Sequence, residues 1–246
     1  MNSDPPSASE EGGEERKTTV SMLTAAIGQS NVIRKDEDDL RSIRIIRDGA
    51  VVEIPWVQAL ALEGRLYGVG PGATALGVAV GPFGAGAIDL TEIDYLQTIP
   101  VTVAVLPVYI RVCLVAVGTV LESGFHAFWG SAGIIGANSV AVTPHNLKPG
   151  SNLASLCTVA CLGDAGGTAF APAGLIAREV TTMLTGIAAS PQPFIPAWSA
   201  ATAGFVTVLE GLASPGRQIA MFVDGQAPSG YIHHVWAELP VGDILT

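Results

Sequence analysis

Apolar residues fall in short runs along most of the chain, and Gly or Pro separates one run from the next. Between about Gly49 and Pro240 these runs are rich in Val, Ile, Thr and aromatic residues and include TALGVAV, VTVAVL, VYIRVCLVAV, SVAVT, GFVTVLE, RQIAMFV and YIHHVWAEL. Runs of this length and composition are typical of β-strands. No period of about 20 to 50 residues repeats, as a propeller or a solenoid would require. We therefore expect an all-β domain.

Two segments also fit a helix. WVQALALEGRLY predicts a short helical turn. GLIAREVTTMLTGI places Ile176, Val180, Leu184 and Ile187 at helical spacing, but the alternation of a strand fits the first three of these as well. For this second segment the pattern leaves helix and strand open.

The segment GRQIAMFVDGQAPSGYIHHVWAELP, residues 216–240, reads as two strands around a turn. Alternation along the second strand separates two sets of side chains, and neither set is plainly polar. A strand that is apolar on both faces is covered on both, by the opposite sheet on one side and by a loop or a neighbouring chain on the other. Asp224-Gly225 and Pro228-Ser229-Gly230 supply turn chemistry between the strands. The segment therefore predicts a β-hairpin whose loop is longer than two residues.

Charged residues are concentrated near the start of the sequence. MNSDPPSASEEGGEERK contains almost nothing to bury, which is typical of a disordered segment. In NVIRKDEDDLRSIRIIRDGA, basic and acidic residues alternate. We therefore predict an N-terminal arm over residues 1–48, flexible and acidic over residues 1–17, followed by a β-sandwich domain over residues 49–246.

Composition points to a protein that associates with copies of itself. A chain of 246 residues is long enough for one large all-β domain. Charged residues make up 14% of it, against about 25% in a typical globular protein. From Gly49 onward there are five basic and twelve acidic residues in 198, a low density for a monomer whose whole surface faces water. Buried subunit contacts explain the missing charge, and an acidic, thermally robust monomer is the alternative.

No membrane span is expected, although several uncharged runs are long enough for one. The best candidate, residues 99–121, has Arg111 at its centre and contains two prolines. The sequence also opens with acidic residues instead of the basic and apolar regions of a signal peptide.

The sequence carries no signature of catalysis or of cofactor binding. The glycine clusters GVGPGA and GPFGAG lack both the dinucleotide spacing and the Lys-Ser/Thr of a phosphate loop, so they read as loops. Ser131 lies near His126, but no G-x-S-x-G elbow surrounds it. His126 lies among aromatic residues, which favours a packed side chain over a catalytic base. We expect a protein that is not an enzyme and needs no cofactor.

We also predict no metal site and no disulfide framework. His233 and His234 are adjacent and point to opposite faces of a strand, so they cannot chelate one ion together. His145 stands alone in TPHNLKPG. Aspartates in turn-like settings are expected to cap the backbone; they are Asp89, Asp164 and Asp224. The three cysteines, Cys113, Cys157 and Cys161, are predicted to be buried thiols, which favours a reducing cytoplasm.

In this arrangement the chain resembles the single jelly-roll coat proteins of icosahedral viruses. DLTEIDYLQTIP followed by VTVAVLPVYIRVCLVAVGT looks like a pair of early strands of such a domain, and PGRQIAMFVDGQAPSGYIHHVWAEL looks like the last two strands. The resemblance covers about four fifths of the chain and rests on pattern and composition. It implies an all-β fold, an antiparallel β-sandwich of jelly-roll type with a partly disordered N-terminal arm.

The resemblance further implies a structural coat protein that self-assembles into an icosahedral capsid shell in the host cytoplasm and resides in the virion. Its partners would be copies of itself, other coat proteins and a host receptor. Direct nucleic-acid binding is expected to be weak or absent, because a net charge of −10 repels phosphate. The alternative function is a receptor- or carbohydrate-binding module of a fibre or tail. The residues expected at subunit contacts are Arg41, Ile43, Arg44, Ile45, Ile46, Arg47, Phe125, Phe128, Trp129 and Trp236.

Overall fold

A computed structural model describes the fold over residues 42–45, 51–70, 85–86, 88–116, 122–137, 139–161, 167–182, 197–204, 206–226 and 229–241. The chain divides into two compact units, Met1–Trp56 and Val57–Thr246. In the first unit, β1 (Ser42–Ile45) pairs antiparallel with β2 (Val51–Ile54). This hairpin spans the predicted domain boundary at Gly49, with one strand on either side. The flexible segment predicted for residues 1–17 lies outside the described residues.

The remaining elements are nearly all strands. They are α1 (Trp56–Glu63), β3 (Leu66–Val69), β4 (Ala85–Gly86), β5 (Tyr95–Ile99), β6 (Val103–Ala116), β7 (Glu122–Ser131), β8 (Val140–Val142), β9 (His145–Asn146), β10 (Thr158–Cys161), β11 (Ala171–Thr182), β12 (Ala197–Ser199), α2 (Ala200–Ala203), β13 (Leu209–Glu210), β14 (Arg217–Val223), β15 (Gly225–Gln226) and β16 (Ser229–Pro240). The short helix predicted in WVQALALEGRLY is confirmed as α1. The ambiguous segment GLIAREVTTMLTGI is a strand, part of β11, as far as Thr182.

Two antiparallel sheets contain most of these strands. Sheet 1 has the order β11-β7-β14-β5-β10-β8, and sheet 2 has the order β12-β6-β16-β3-β9 with β13 also paired to β6. β4 and β15 form a separate two-residue pair. Side chains from both sheets meet in one core, so the prediction of an all-β antiparallel sandwich is confirmed.

Alternation of side chains along the central strands builds this core. On β14, Ile219, Met221 and Val223 point inward, and on β16, Ile232 and Trp236 do so. Trp236 is completely buried. Burial of a side chain of this size contributes roughly 3 kcal/mol to stability, which explains why the two sheets stay together.

The outer face of sheet 1 carries a second apolar cluster. Ala220 and Phe222 of β14 and Leu96 of β5 pack there against Ile93 and Phe170, which lie in connections between strands. A loop of the same chain therefore covers β14 on the face away from the core. On β16, by contrast, the outward His233 is exposed and Val235 is half-buried.

The predicted hairpin over residues 216–240 is wrong. β14 lies in sheet 1 between β7 and β5, and β16 lies in sheet 2 between β6 and β3. The predicted pair of early strands, β5 and β6, is divided between the sheets in the same way. Gly and Pro indicate that the chain reverses but not which sheet it enters, and a strand with two apolar faces is more stable at the centre of a sheet.

Some strands are longer than the apolar runs that predicted them. VTVAVL and VYIRVCLVAV are parts of one strand, β6, which has 14 residues. Pro107 lies within it, beside the register shift against β16. A proline is tolerated at such an irregularity because the missing N–H leaves no ladder hydrogen bond broken, so it did not end the strand.

Candidate subunit-contact surface

Three connections between strands leave the sandwich at the same end. They are the turn between β5 and β6 (residues 100–102), the insertion between β7 and β11 (residues 132–170) and the segment between β12 and β14 (residues 200–216). The strand registers place Arg217 opposite Ile99 and Pro240 opposite Val103 at this end. We call it the connection end.

Large apolar side chains are exposed at the connection end. In the described part of the chain they are Leu62, Val101, Ile134, Leu147, Leu153, Leu156, Val206, Val208 and Leu212, and elsewhere Val140 and Leu175 are also exposed. Leu156 has 58% of its surface open to solvent. Residues 132–157 contain Lys148 as their single Lys, Arg, Asp or Glu, and residues 206–216 contain only Glu210. Apolar surface with so little charge is typical of sites of protein–protein contact.

The first group of exposed residues is called the turn patch: Val101, Val206, Val208 and Leu212. The Gly211 N–H donates to the Val103 carbonyl at 3.0 Å, which brings the segment between β12 and β14 against the β5–β6 turn. Leu209 pairs with Val105 on the side of β6 away from β16. The turn patch therefore lies at the β6 edge of sheet 2.

The second group is called the insertion patch: Leu62, Leu147, Leu153 and Leu156. The Asn146 side-chain amide donates to the Gly64 carbonyl at 2.7 Å and to the Leu153 carbonyl at 3.0 Å. Lys148 Nζ donates to the Leu62 carbonyl at 2.7 Å. These bonds draw the end of α1 and the insertion together beside β3 and β9, at the opposite edge of sheet 2 from the turn patch.

A buried carboxylate fixes the insertion to the core. Glu238 of β16 accepts hydrogen bonds from the Leu156 N–H at 2.9 Å, from Trp236 Nε1 at 2.8 Å and from the Ser155 hydroxyl. A charged acceptor bound by several donors is the strong form of hydrogen bond. The backbone of Leu156 is held from inside while its side chain faces solvent, so bonds within the chain fix the position of this exposed leucine.

A buried amide anchors the other end of the insertion. The Gln218 side chain of β14 accepts from the Gly133 N–H and donates to the Gly133 carbonyl, each at 2.9 Å. Both polar groups of Gly133 are satisfied by one side chain. A surface whose loops are already held in place loses less conformational entropy on binding than a flexible surface does.

The residues predicted at subunit contacts are spread over three places. Phe125 and Trp236 are core residues with no exposed surface to offer a partner, and Phe128 and Trp129 of β7 are half-buried. The Arg217 guanidinium lies 4.9 Å from the ring centre of Trp129.

The arm residues of that prediction lie in the first unit or outside the described residues. Ile43, Arg44 and Ile45 lie on β1, whose side chains are not described, and Arg41, Ile46 and Arg47 lie outside the described residues. The exposed leucines of the insertion were missed in the sequence. TPHNLKPGSNLASLC carries three of them among loop-forming residues, with Lys148 as its single charge and without strand alternation, and that combination was the available signal.

The histidines fill structural roles. His126 is buried, stacks on Phe128 and lies with Nε2 3.0 Å from a carboxylate oxygen of Asp224, so its prediction as a packed residue is confirmed. His234 is buried with Nδ1 2.8 Å from the Tyr95 hydroxyl, while His233 points to the other face, as predicted. Within the described ranges, no three His, Cys, Asp or Glu side chains are grouped to hold a metal ion.

The two cysteines whose side chains the structure describes are free and buried. Cys157 and Cys161 form no disulfide, as predicted, and the side chain of Cys113 is not described. Burial raises the pKa of the Cys157 thiol, and the nearby Glu238 carboxylate raises it further. Both thiols are therefore protonated and unreactive at neutral pH.

Neither α1 nor α2, the helices in the described part of the chain, is long and apolar enough to cross a membrane. No protein-family model, curated protein or solved structure matches the chain. Its function is therefore inferred from strand order and from the chemistry of its surface.

Proposed function

We propose that this protein is a structural virus coat protein that assembles with copies of itself into an icosahedral capsid shell in the host cytoplasm. The observation that carries the proposal is the strand order. Eight strands form the centre of the sandwich; in chain order they are β3, β5, β6, β7, β11, β12, β14 and β16. Numbered one to eight in that order, they form antiparallel pairs in which first meets eighth, second meets seventh, third meets sixth and fourth meets fifth.

A ribbon of four such pairs, wrapped around a core, is a jelly roll. It gives a sheet of order β3-β16-β6-β12 facing one of order β5-β14-β7-β11, which are the central parts of sheets 2 and 1. Jelly rolls serve in viral capsids and also in lectins and cupins. Fold order alone supports a class of proteins, so the surface has to distinguish among them.

The surface favours a coat subunit within that class. Obligate interfaces bury about 2,000 Å² or more and resemble a protein core cut in half, and the connection end supplies exposed Leu and Val with few charges. A receptor- or carbohydrate-binding module, the alternative function, would expose a cluster of aromatic side chains on its loops. Phe125, however, is buried, and Phe128 and Trp129 lie half-buried on β7 instead of on a loop. With a net charge of −10, the chain is unsuited to hold a genome by itself.

Sedimentation and electron microscopy of the purified protein test this function. At micromolar concentration and neutral pH we expect material far heavier than the monomer and regular closed shells on the grid. A single sharp boundary near the monomer mass of 25.2 kDa, with dispersed particles in the images, would remove the proposal.

A further inference from the structure

The two exposed patches lie at opposite edges of the same sheet. The turn patch is beside β13, on the side of β6 away from β16. The insertion patch is beside β9, on the side of β3 away from β16. β16 lies between β6 and β3. A contact that joins these two edges therefore joins different surfaces of two copies.

Two exposed charges of opposite sign lie at the patches: Lys148 within the insertion patch and Glu210 within the segment of the turn patch. Glu63, beside Leu62, is also exposed, and its carboxylate lies 3.6 Å from Arg65 Nε. Lys148 Nζ donates to the Leu62 carbonyl at 2.7 Å and keeps two further N–H groups for a partner. Arg217 is placed over Trp129 and donates to the Glu210 carbonyl at 3.4 Å. Lys148 and Glu210 are thus the charges that a partner at each patch would meet first.

We propose that the insertion patch of one copy packs against the turn patch of a second copy, with Lys148 placed against Glu210. This inference rests on the proposed coat function and deepens it. Contact of either patch with itself across a two-fold axis would oppose Lys148 to Lys148 or Glu210 to Glu210, and like charges brought together at an interface are destabilising. A contact between two different surfaces repeats from copy to copy and closes into a ring when its rotation permits.

Charge exchange tests this contact in the full chain. We expect K148E and E210K each to weaken association about tenfold, because each replaces an attraction by a repulsion. The K148E/E210K double variant restores attraction with reversed signs and should associate more tightly than either single variant, although it still lacks the hydrogen bond from Lys148 to the Leu62 carbonyl. The measurement is the concentration at which assemblies appear, followed by light scattering and sedimentation, with circular dichroism to show that every variant folds.

Two matched controls carry the same changes of charge in sheet 1. R178E corresponds to K148E and E179K to E210K, and both residues are exposed on β11. These variants should assemble at the concentration of the unmodified protein. If the double variant is as defective as the two single changes combined, or if the single variants match the β11 controls, the proposed contact is wrong.

Mixing the two single variants tests whether the two charges meet between copies and not within one copy. Self-contact of a patch is distinguished by the single variants, because reversal of one charge would leave like charges opposed there as before. An equimolar mixture of K148E and E210K proteins offers matched charges wherever unlike copies meet, so association should recover relative to either variant alone. No recovery would overturn the head-to-tail arrangement. The unmodified protein in the same assay tests the coat function separately. If it assembles but the charge-exchange variants do not behave as expected, only the contact between the two patches is rejected. If it stays monomeric, the proposed coat function itself is rejected.

Discussion

Three buried polar side chains in this sandwich, Asp94, Gln218 and Glu238, are placed where the backbone needs a partner. Asp94 accepts from the Val223 N–H at 2.7 Å, where β14 ends. Glu238 on the core side of sheet 2 and Gln218 on the outer face of sheet 1 hold the insertion at Leu156 and at Gly133. Each group would be costly to bury alone, by about 1–3 kcal/mol, and each is stabilised by its bonds, so these residues specify where the connections run.

His234 makes the stability of the protein dependent on pH. Burial lowers its pKa to about 3, from an ordinary value of 6.5. Between these values the unfolded chain binds a proton that the folded chain does not, so stability is complete above about pH 6.5 and falls as the pH decreases toward 3. One such proton changes the free energy of unfolding by at most about 1.4 kcal/mol per pH unit.

Urea unfolding of the Y95F/H234F variant checks this dependence. The double change removes both partners of the buried hydrogen bond and leaves no unpaired polar group, so the variant should still fold. Between pH 4 and 6 the free energy of unfolding of this variant should fall less steeply with decreasing pH than that of the unmodified protein. The two slopes should differ by at most one bound proton, or about 1.4 kcal/mol per pH unit. Equal slopes would show that His234 is not the responsible group.

At the scale of elements, the insertion between β7 and β11 closes one side of the sandwich. Its strand β9 pairs with β3 of sheet 2, and its strand β10 pairs with β5 of sheet 1. An unpaired strand edge is a template for aggregation, so this one segment protects both β3 and β5. It also displays the insertion patch, so one segment both protects these edges and carries one side of the proposed contact.

The E238Q substitution should loosen this insertion without unfolding the sandwich. The neutral amide is a weaker acceptor for the Leu156 N–H, and one of its two polar ends no longer accepts at all. We expect a loss of about 1.5–3 kcal/mol in the free energy of unfolding and faster hydrogen exchange at the Leu156 and Cys157 amides. E179Q, an exposed change on β11, serves as the control and should stay within about 0.5 kcal/mol. Unchanged exchange at those two amides would contradict the anchoring role of Glu238.

Strand positions could be predicted from the sequence, but strand partners could not. The apolar runs of β14 and β16 were recognised from β-branched and aromatic residues, because that signal is local. Their pairing depends on residues more than 100 positions away, such as Leu96 opposite Ala220 and Ile110 opposite His234. The contact surface was missed for a related reason, since Leu153 and Leu156 have no periodicity, and only the bonds from Asn146 and Glu238 show how they are presented.

For the whole molecule, the hairpin of β1 and β2 decides where a truncation should be made. A cut at residue 48 would separate two paired strands, so deletion of residues 1–54 is the cleaner test of the arm. The first 17 residues have too little apolar surface to repay their ordering entropy in an isolated subunit. We expect the truncated chain to fold and to unfold cooperatively, yet to form no regular particles or particles of altered size.

Circular dichroism and electron microscopy of this truncated chain, beside the full chain, provide the measurement. Loss of the β signal together with aggregation would mean that the deleted segment belongs to the core of the sandwich. Normal particles of unchanged size would mean that the arm takes no part in assembly.

The positions of β14 and β16 determine when this chain can fold during its synthesis. β14 separates β7 from β5 in sheet 1, and β16 separates β6 from β3 in sheet 2, yet both strands lie within residues 217–240. A nascent chain that has emerged from the ribosome only as far as Pro215 lacks the middle strand of each sheet. Local pairs such as β7 with β11 are available to it, but neither sheet is continuous, and its apolar side chains are open to chaperones or to misassembly. The complete sandwich therefore forms only after residues 217–240 have left the ribosome.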